Sequence, residues 1–354
     1  MALSRRDLLK ATAALAAMGG SGMALAGDAG FGISHESVAD APADADTVSA
    51  TPLRLWYRRP ATQWVEALPL GNGRLGAMVW GGAKHERIQL NEDTLYAGGP
   101  YDPTPARALA ALPEVRRLLF SGRYAEAEAL ANATMMATPK KQMPYQPLGD
   151  LVLDFFEVSE TNGYRRELDL GTAIATSSFE ARGLQHRRDV FVSPVDQVIA
   201  VRLSADKAKR ISLRIGLDSD QTDATVDADG GAGLLLRGRN RAAFGIEGKL
   251  RFALRLRVLS VGGTLRHHGD RIEIRHADEV VLLLTAATSY KRFDDVSGDP
   301  ESITRTQLDQ AASKSWDALR DVHVATHRRL FDRIAIELGR SDPAIAALPT
   351  DERV

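Results

Sequence analysis

No cysteine occurs among the 354 residues, which excludes disulfides, thiolate metal sites and a cysteine nucleophile. An excess of charge of either sign is also missing. Lys and Arg number 45 against 46 Asp and Glu, a formal net charge of -1. That balance gives no electrostatic case for nucleic acid or for an anionic membrane as partner. Aromatic residues are scarce, at 6%, and Trp56, Trp64, Trp80 and Trp316 are dispersed along the chain. They are not set at alternate positions of one strand, as a flat sugar-binding platform would require. No Gly-x-Ser-x-Gly elbow is present, which removes the α/β-hydrolase arrangement.

The N-terminus carries a recognisable pattern. Ser4-Arg5-Arg6-Asp7-Leu8-Leu9-Lys10 precedes an apolar, alanine-rich run over 11–18, and small residues follow up to Ala24-Leu25-Ala26. A charged region, a short apolar region and an A-x-A site read as an export signal cleaved after Ala26. The paired arginines resemble a twin-arginine signal. A basic amphipathic anchor is the alternative, but the apolar run is too short to span a bilayer comfortably. A periplasmic or secreted location is expected, with no membrane attachment after cleavage. Residues 27–51 are rich in Ala, Asp, Gly and Ser and short of large apolar side chains. They bury too little surface to offset ordering entropy, so a disordered linker is expected.

From residue 53 the hydrophobic period decides. Strands are predicted over 75–80 and 87–90, with Gly81-Gly82 as the turn. Helices are predicted over 105–120 and 124–136, with a break at Ser121-Gly122. Ten further strands follow, over 151–156, 165–170, 173–180, 185–192, 198–203, 211–217, 234–237, 250–261, 271–275 and 280–285. Phe252, Leu254, Leu256 and Val258 alternate with Arg251, Ala253, Arg255 and Arg257. A helix would scatter those arginines around its circumference, whereas a strand puts them on one face. Many short strands with few helices predict a mainly β fold, two antiparallel sheets packed as a sandwich. Helices are predicted again over 303–319 and 322–331, then a strand over 334–338 and a turn at Ser341-Asp342-Pro343. Pro349-Thr350-Asp351-Glu352 reads as a helix start with Thr350 as N-cap.

Two stretches concentrate chemistry-bearing residues. In 67–78, Gly71 and Gly73 flank Asn72, allowing positive φ and a close approach to another surface. A tight turn into a core strand is the simpler reading. In 89–100, Asn91, Glu92 and Asp93 follow a strand. The two carboxylates suit acid–base work on a glycosidic bond, and equally suit capping of local backbone donors. His267, His268 and His276 flank the hairpin turn Gly269-Asp270 and read as exposed, without the acidic or third ligand a metal would need. His323 and His327 are spaced i, i+4 on a predicted helix. Glu is missing from the position after His323, so a solvated helical face is expected rather than a zinc site.

Taken in order, Trp56, 64–66, 68–78 and 88–100 resemble the N-terminal signature of glycoside hydrolase family 95. The blocks 145–151, 164–170, 188–193 and 348–353 extend the resemblance over roughly residues 53–353. It implies an antiparallel β-super-sandwich over 52–290 with a small helical insertion. A helical linker over 291–354 would lead toward an (α/α) barrel that this chain does not carry. Members hydrolyse terminal α-L-fucosyl linkages with inversion and without metal or organic cofactor. Their glutamate acid, water-activating asparagines and supporting aspartate all lie in the barrel, so no catalytic residue transfers to this sequence. The resemblance implies a truncated, inactive region of an exported fucosidase, whose glycan partner is bound through the parent enzyme. Association with a separate barrel domain is expected, and Asn91 with Glu92 would approach the rim of its active site. A stand-alone carbohydrate-binding or assembly module is the alternative. The related disaccharide phosphorylases share the same domain plan, but the block over 90–95 favours the fucosidase side.

Overall fold

The computed structural model describes residues 53–336, 339 and 342–353. The export-signal and linker expectations over 1–51 lie outside the described residues, as does the end of the strand predicted over 334–338.

Sixteen strands form two antiparallel sheets among the described residues. The nine-stranded sheet takes β1 (Arg54–Tyr57), β6 (Asn162–Asp169), β7 (Ile174–Ala181), β8 (Leu184–Ser193) and β9 (Val198–Ala205) in that order. It continues with β16 (Glu279–Thr288), β13 (Arg251–Val261), β12 (Gly233–Arg239) and β11 (Thr222–Ala228). The seven-stranded sheet runs β14 (Thr264–His268), β15 (Arg271–Ala277), β10 (Ile211–Asp218), β5 (Gly149–Phe155), β4 (His85–Glu92), β3 (Leu75–Val79) and β2 (Leu68–Gly71). The mainly β sandwich read from the sequence is therefore the observed fold.

The two sheets close over one core, in which Ile88, Leu151, Leu153, Leu213 and Ile215 of one sheet meet Val201, Leu254, Leu256, Leu282 and Leu284 of the other. Each fully buried Leu or Ile contributes about 1.5–3 kcal/mol of transfer free energy, so this row of alternate positions fixes the register of both sheets. The nine-stranded sheet is covered on its outer face too. Helices α3 (Pro300–Ala312) and α4 (Trp316–Phe331) pack Leu308, Ala311, Trp316 and Leu319 against Phe191, Val198, Ala200 and Leu283. Burial on both faces explains why β9 and β16 read as continuous apolar runs rather than alternating ones. It also changes the meaning of the β13 arginines. Arg255 is buried and pairs with Asp229, and Arg257 pairs with Asp309 of α3 at 2.8 Å.

An insertion between β4 and β5 forms α1 (Ala108–Phe120) and α2 (Tyr124–Thr134). They share a small core of Val115, Leu118 and Ala127. Gly122 has φ +74 at the break between them. No described helix is long and apolar enough to cross a membrane.

Four local expectations need correction. The break between α3 and α4 falls at 313–315 rather than near 320, because the Ser315 side chain caps the Ala318 N–H. Residues 334–336 form no strand; no sheet edge receives them, and alternation alone does not make a strand. Thr350 does not cap a helix. It opens a short 3-10 turn (Thr350–Glu352), and its hydroxyl accepts the Trp56 N–H at 2.9 Å. His323 and His327 do not face solvent. His323 is buried and stacks on Phe191 at 4.8 Å, and its Nε2 lies 3.0 Å from the Thr172 carbonyl. His327 Nε2 lies 2.8 Å from the Leu170 carbonyl.

Candidate functional site

The core-facing row of β4 is Glu86, Ile88, Leu90 and Glu92. Strand period two therefore carries two carboxylates into the interior, one at each end. Each meets an arginine from elsewhere. Glu86 is fully buried and pairs with Arg188 of β8, across the two sheets. Arg188 lies over the Phe155 ring at 5.0 Å, and burial pushes its guanidinium down to about 9, still cationic at neutral pH. Glu86 also accepts the Gly81 N–H at 2.9 Å, and Gly81 has φ +78, a conformation glycine adopts without strain. The predicted Gly81-Gly82 turn thus anchors a buried ion pair.

Glu92, at the other end, is 3% exposed. Its Oε2 accepts the Thr94 N–H at 2.8 Å and the Thr94 hydroxyl at 2.6 Å, while Arg74 Nη1 stands 3.6 Å from Oε1. Burial raises its carboxyl above the ordinary range, and the Thr94 hydrogen bonds oppose that rise. Arg74 comes from the turn predicted around Asn72. Asn72 Oδ1 accepts the Arg74 and Leu75 N–H groups at 3.0 and 2.7 Å, and its Nδ2 donates to the Ser193 carbonyl of the other sheet at 2.9 Å. Arg74 Nε then donates to Gln197 at 2.7 Å. The two stretches singled out in the sequence are one polar brace between the sheets.

Asn91 points the other way. It is half-buried on the outer face of the seven-stranded sheet, opposite Gly76 of β3. The structure therefore puts Asn91 and Glu92 on opposite faces of one strand and does not bring them together.

The loop after Glu92 lines a groove of about 440 Å3. Asp93, Thr94, Tyr96 and Gly98 form one side, and Tyr290, Phe293 and Val296 of the segment after β16 form the other. Asn240 pins the loop, its Nδ2 donating to the Tyr96 and Gly98 carbonyls, both at 2.6 Å. Phe293 is 82% exposed. Sequence reasoning missed Tyr290 and Phe293, because their part comes from a strand-end loop more than 190 residues distant. Asp93 is the one carboxylate among the residues lining the groove. Inverting glycoside hydrolysis needs an acid and a water activator across the scissile bond, in most families two carboxyl groups roughly 6.5–9.5 Å apart, and neither a second carboxylate nor an asparagine lines the groove. The groove can contact a sugar or another protein surface, and it lacks the pair that would cleave a glycosidic bond.

Beside it, on the seven-stranded sheet, lies a polar cleft of about 290 Å3. Tyr145 stands between the two, its ring 5.1 Å from that of Tyr96. Burial, with Glu92 and Tyr96 nearby, pushes the Tyr145 hydroxyl up to about 12, so it is a neutral phenol donating to the Glu92 carbonyl at 3.0 Å. No cluster of His, Asp or Glu able to hold a metal exists among the described residues.

A family model described as the N-terminal domain of glycosyl hydrolase family 65 matches residues 55–292. The chain belongs to that family. The match spans the sandwich from β1 to the segment after β16 and leaves α3 and α4 outside it. Among curated proteins, the chain is 32% identical over 334 residues to alpha-L-fucosidase 2 of Arabidopsis thaliana, covering 86% of this chain and 39% of that protein. It is 29% identical over 308 residues to an Aspergillus niger protein named "Probable alpha-fucosidase A", covering 81% and 37%. The chain thus spans about two-fifths of the length of the curated relatives it matches. As a glycoside hydrolase N-terminal domain, it places the brace and the groove at one end of the sandwich, formed largely by strand-end loops.

Proposed function

We propose that this chain is the non-catalytic N-terminal region of an exported α-L-fucosidase of the family 95 type, without hydrolytic activity of its own. The single carboxylate in the groove carries this reading. Whatever acid and water activator act on the substrate would come from a barrel domain, and the groove edge would meet that domain or the glycan it holds. Asn91 and Glu92 then act at the rim indirectly. Glu92 fixes Thr94 and so the loop that exposes Asp93 and Tyr96, and Asn91 sits on the neighbouring outer face. The names of the two fucosidase relatives support the substrate class. The twin-arginine pattern at Arg5-Arg6 supports export, with maturation after Ala26.

The test is an assay of the purified chain on an aryl α-L-fucoside, alone and after adding a separately produced barrel domain from a relative. No turnover alone is expected, and turnover above a blank by the chain itself would refute the proposal. Export is read from the mass of the mature protein in the periplasm or medium.

A further inference from the structure

The groove between the loop after β4 and the segment after β16 has two walls tied at their base. The Thr94 hydroxyl donates to Glu92 Oε2 at 2.6 Å, so its hydrogen bond with the Thr288 hydroxyl is donated by Thr288. Thr288 in turn accepts the Tyr290 N–H at 3.2 Å. One relay therefore runs from the second wall, through two threonines, to the buried carboxylate. Each wall is also closed on itself. Asn240 pins the first. In the second, Arg292 and Asp295 exchange backbone hydrogen bonds at 3.2 and 3.0 Å, and the Gly298 N–H donates to the Ser289 carbonyl at 2.8 Å. Phe293 sits in that turn and is exposed. An unconstrained loop gains free energy by folding such a ring onto the sandwich, and the closed turn holds it out. The groove is thus formed before any ligand arrives, which lowers the ordering cost of binding.

The lining sorts the ligand classes. Tyr96, Tyr290 and Phe293 offer exposed rings, and Asp93 is exposed beside them. Arg74 stands against Glu92, at 3.6 Å, which leaves the Asp93 carboxylate to face the groove. A protein partner would cover that carboxylate. The cores of protein interfaces are depleted of Asp, because a covered charge without a counter-charge is costly. A neutral sugar supplies both things the lining asks for: a face of C–H groups to lie on an aromatic ring, and hydroxyls to donate to a carboxylate. The cavity, about 440 Å3, falls in the range of small-ligand pockets, ~300–1,000 Å3. A cationic ligand fits less well, because the Lys249 side chain packs against Gly99 at the groove margin.

We propose that the groove is a subsite for the sugar that carries the fucose, a neutral hexose stacked on the Tyr290 and Phe293 rings and hydrogen-bonded to Asp93. The proposal rests on the fucosidase reading and deepens it. The terminal fucosyl unit goes to the barrel, and the rest of the glycan leaves over the rim that this chain supplies. Binding there contributes to substrate choice and takes no part in bond cleavage.

Saturation-transfer NMR on the full chain tests it with lactose, cellobiose and L-fucose, and with tetramethylammonium chloride as a cation probe. Millimolar binding of at least one disaccharide is expected, as for a small, shallow contact. Phe293→Ser and Asp93→Ala should each weaken it tenfold or more at an unchanged unfolding midpoint. Phe120→Ser, which removes an exposed ring on α1, should leave it unchanged. No disaccharide signal, a signal indifferent to both groove variants, L-fucose bound more tightly than both disaccharides, or tetramethylammonium bound in place of both would each overturn the proposal. So would self-association through Phe293 that neither disaccharide reduces, which would give the groove to a protein partner. Fucoside turnover is not read here. A failed binding test therefore leaves the inactive N-terminal region standing as proposed, and turnover by the chain alone would sink that reading without touching the binding result.

Discussion

Glu86 and Arg188 are both buried, and they face each other from different sheets. Removing one partner strands the other in a low-dielectric interior, whereas replacing both with apolar groups of similar size does not. Glu86→Gln and Arg188→Met should each lower unfolding stability by about 3–5 kcal/mol. The double variant Glu86→Leu with Arg188→Met should cost less than the sum of the singles. Urea denaturation checks this through the midpoint at constant slope, and strict additivity would show that the pair is not coupled. The strand read from the sequence, 87–90, stopped short of both carboxylates, which lie inside β4, although the pattern that extends it was there. Glu86, Ile88, Leu90 and Glu92 alternate, so a strand must put all four on one face. The missing information was the arginine partners, 102 residues away for Arg188, which no local pattern reveals. His323 was misread for a related reason: the helical spacing that suggests a solvated face says nothing about what covers it. Burial lowers its pKa below the usual 6.5, opposed by the nearby Ala173 and Thr172 carbonyls. Its folded form is therefore neutral where the unfolded chain takes up a proton. Stability from this group is complete above about pH 6.5 and is lost as pH falls toward the depressed folded value, with a slope of at most about 1.4 kcal/mol per pH unit. His323→Gln keeps a donor for the Thr172 carbonyl and removes the titration. The stability difference between the two proteins should change between pH 7 and pH 5, and parallel pH profiles would contradict this account.

At the level of elements, the strands predicted between residues 75 and 285 were those with alternation or long apolar runs, and each is present; the alternation over 334–336 made none. The strands that escaped notice, β1, β2 and β11, are short or mostly exposed, so burial writes little pattern into them; β14 was implied only by the hairpin turn at Gly269-Asp270, which does join it to β15. β11 alternates only between half-buried and exposed positions and is an edge strand. The helix pair α1 and α2 was legible because alanine-rich helical spacing stands out between strands. Its core is its own, and the Thr138 N–H donates to the Pro103 carbonyl at 3.2 Å, closing the neck of the insertion. Replacing residues 105–137 with a short Gly-Ser linker should therefore leave the sandwich folded. The loop-closure term changes by only about 0.6 kcal/mol per doubling of length. Circular dichroism should lose helical signal while the thermal midpoint moves by a few degrees at most. Loss of cooperative unfolding would mean that the insertion is part of the sandwich core. Capping makes a smaller prediction. Asp299 accepts the Glu301 and Ser302 N–H groups at 3.2 Å, and Ser315 caps the next helix. Asp299→Ala and Ser315→Ala should each cost about 1 kcal/mol.

Across the whole molecule, α3 and α4 cover part of the outer face of the nine-stranded sheet, and one cluster of uncovered aromatic surface lies at the loop end. Phe293, Tyr290 and Tyr96 are 82%, 44% and 40% exposed around one groove. Contiguous exposed apolar surface on a soluble domain marks a contact site or an association hazard. An exposed apolar patch was expected of a chain without its barrel, but its residues could not be read from the sequence, since the groove joins loops that follow β4 and β16 and only the sandwich topology brings them together. If the groove meets a barrel domain, a chain without that domain leaves it bare. The isolated chain should then self-associate as its concentration rises, with a mass average by light scattering above that of one chain. Phe293→Ser removes the most exposed ring of the groove without touching the core, and should shift the average toward the single chain at unchanged thermal stability. An isolated chain that is monodisperse at every concentration would show that the groove needs no cover, and would detach the docking role from the fucosidase reading.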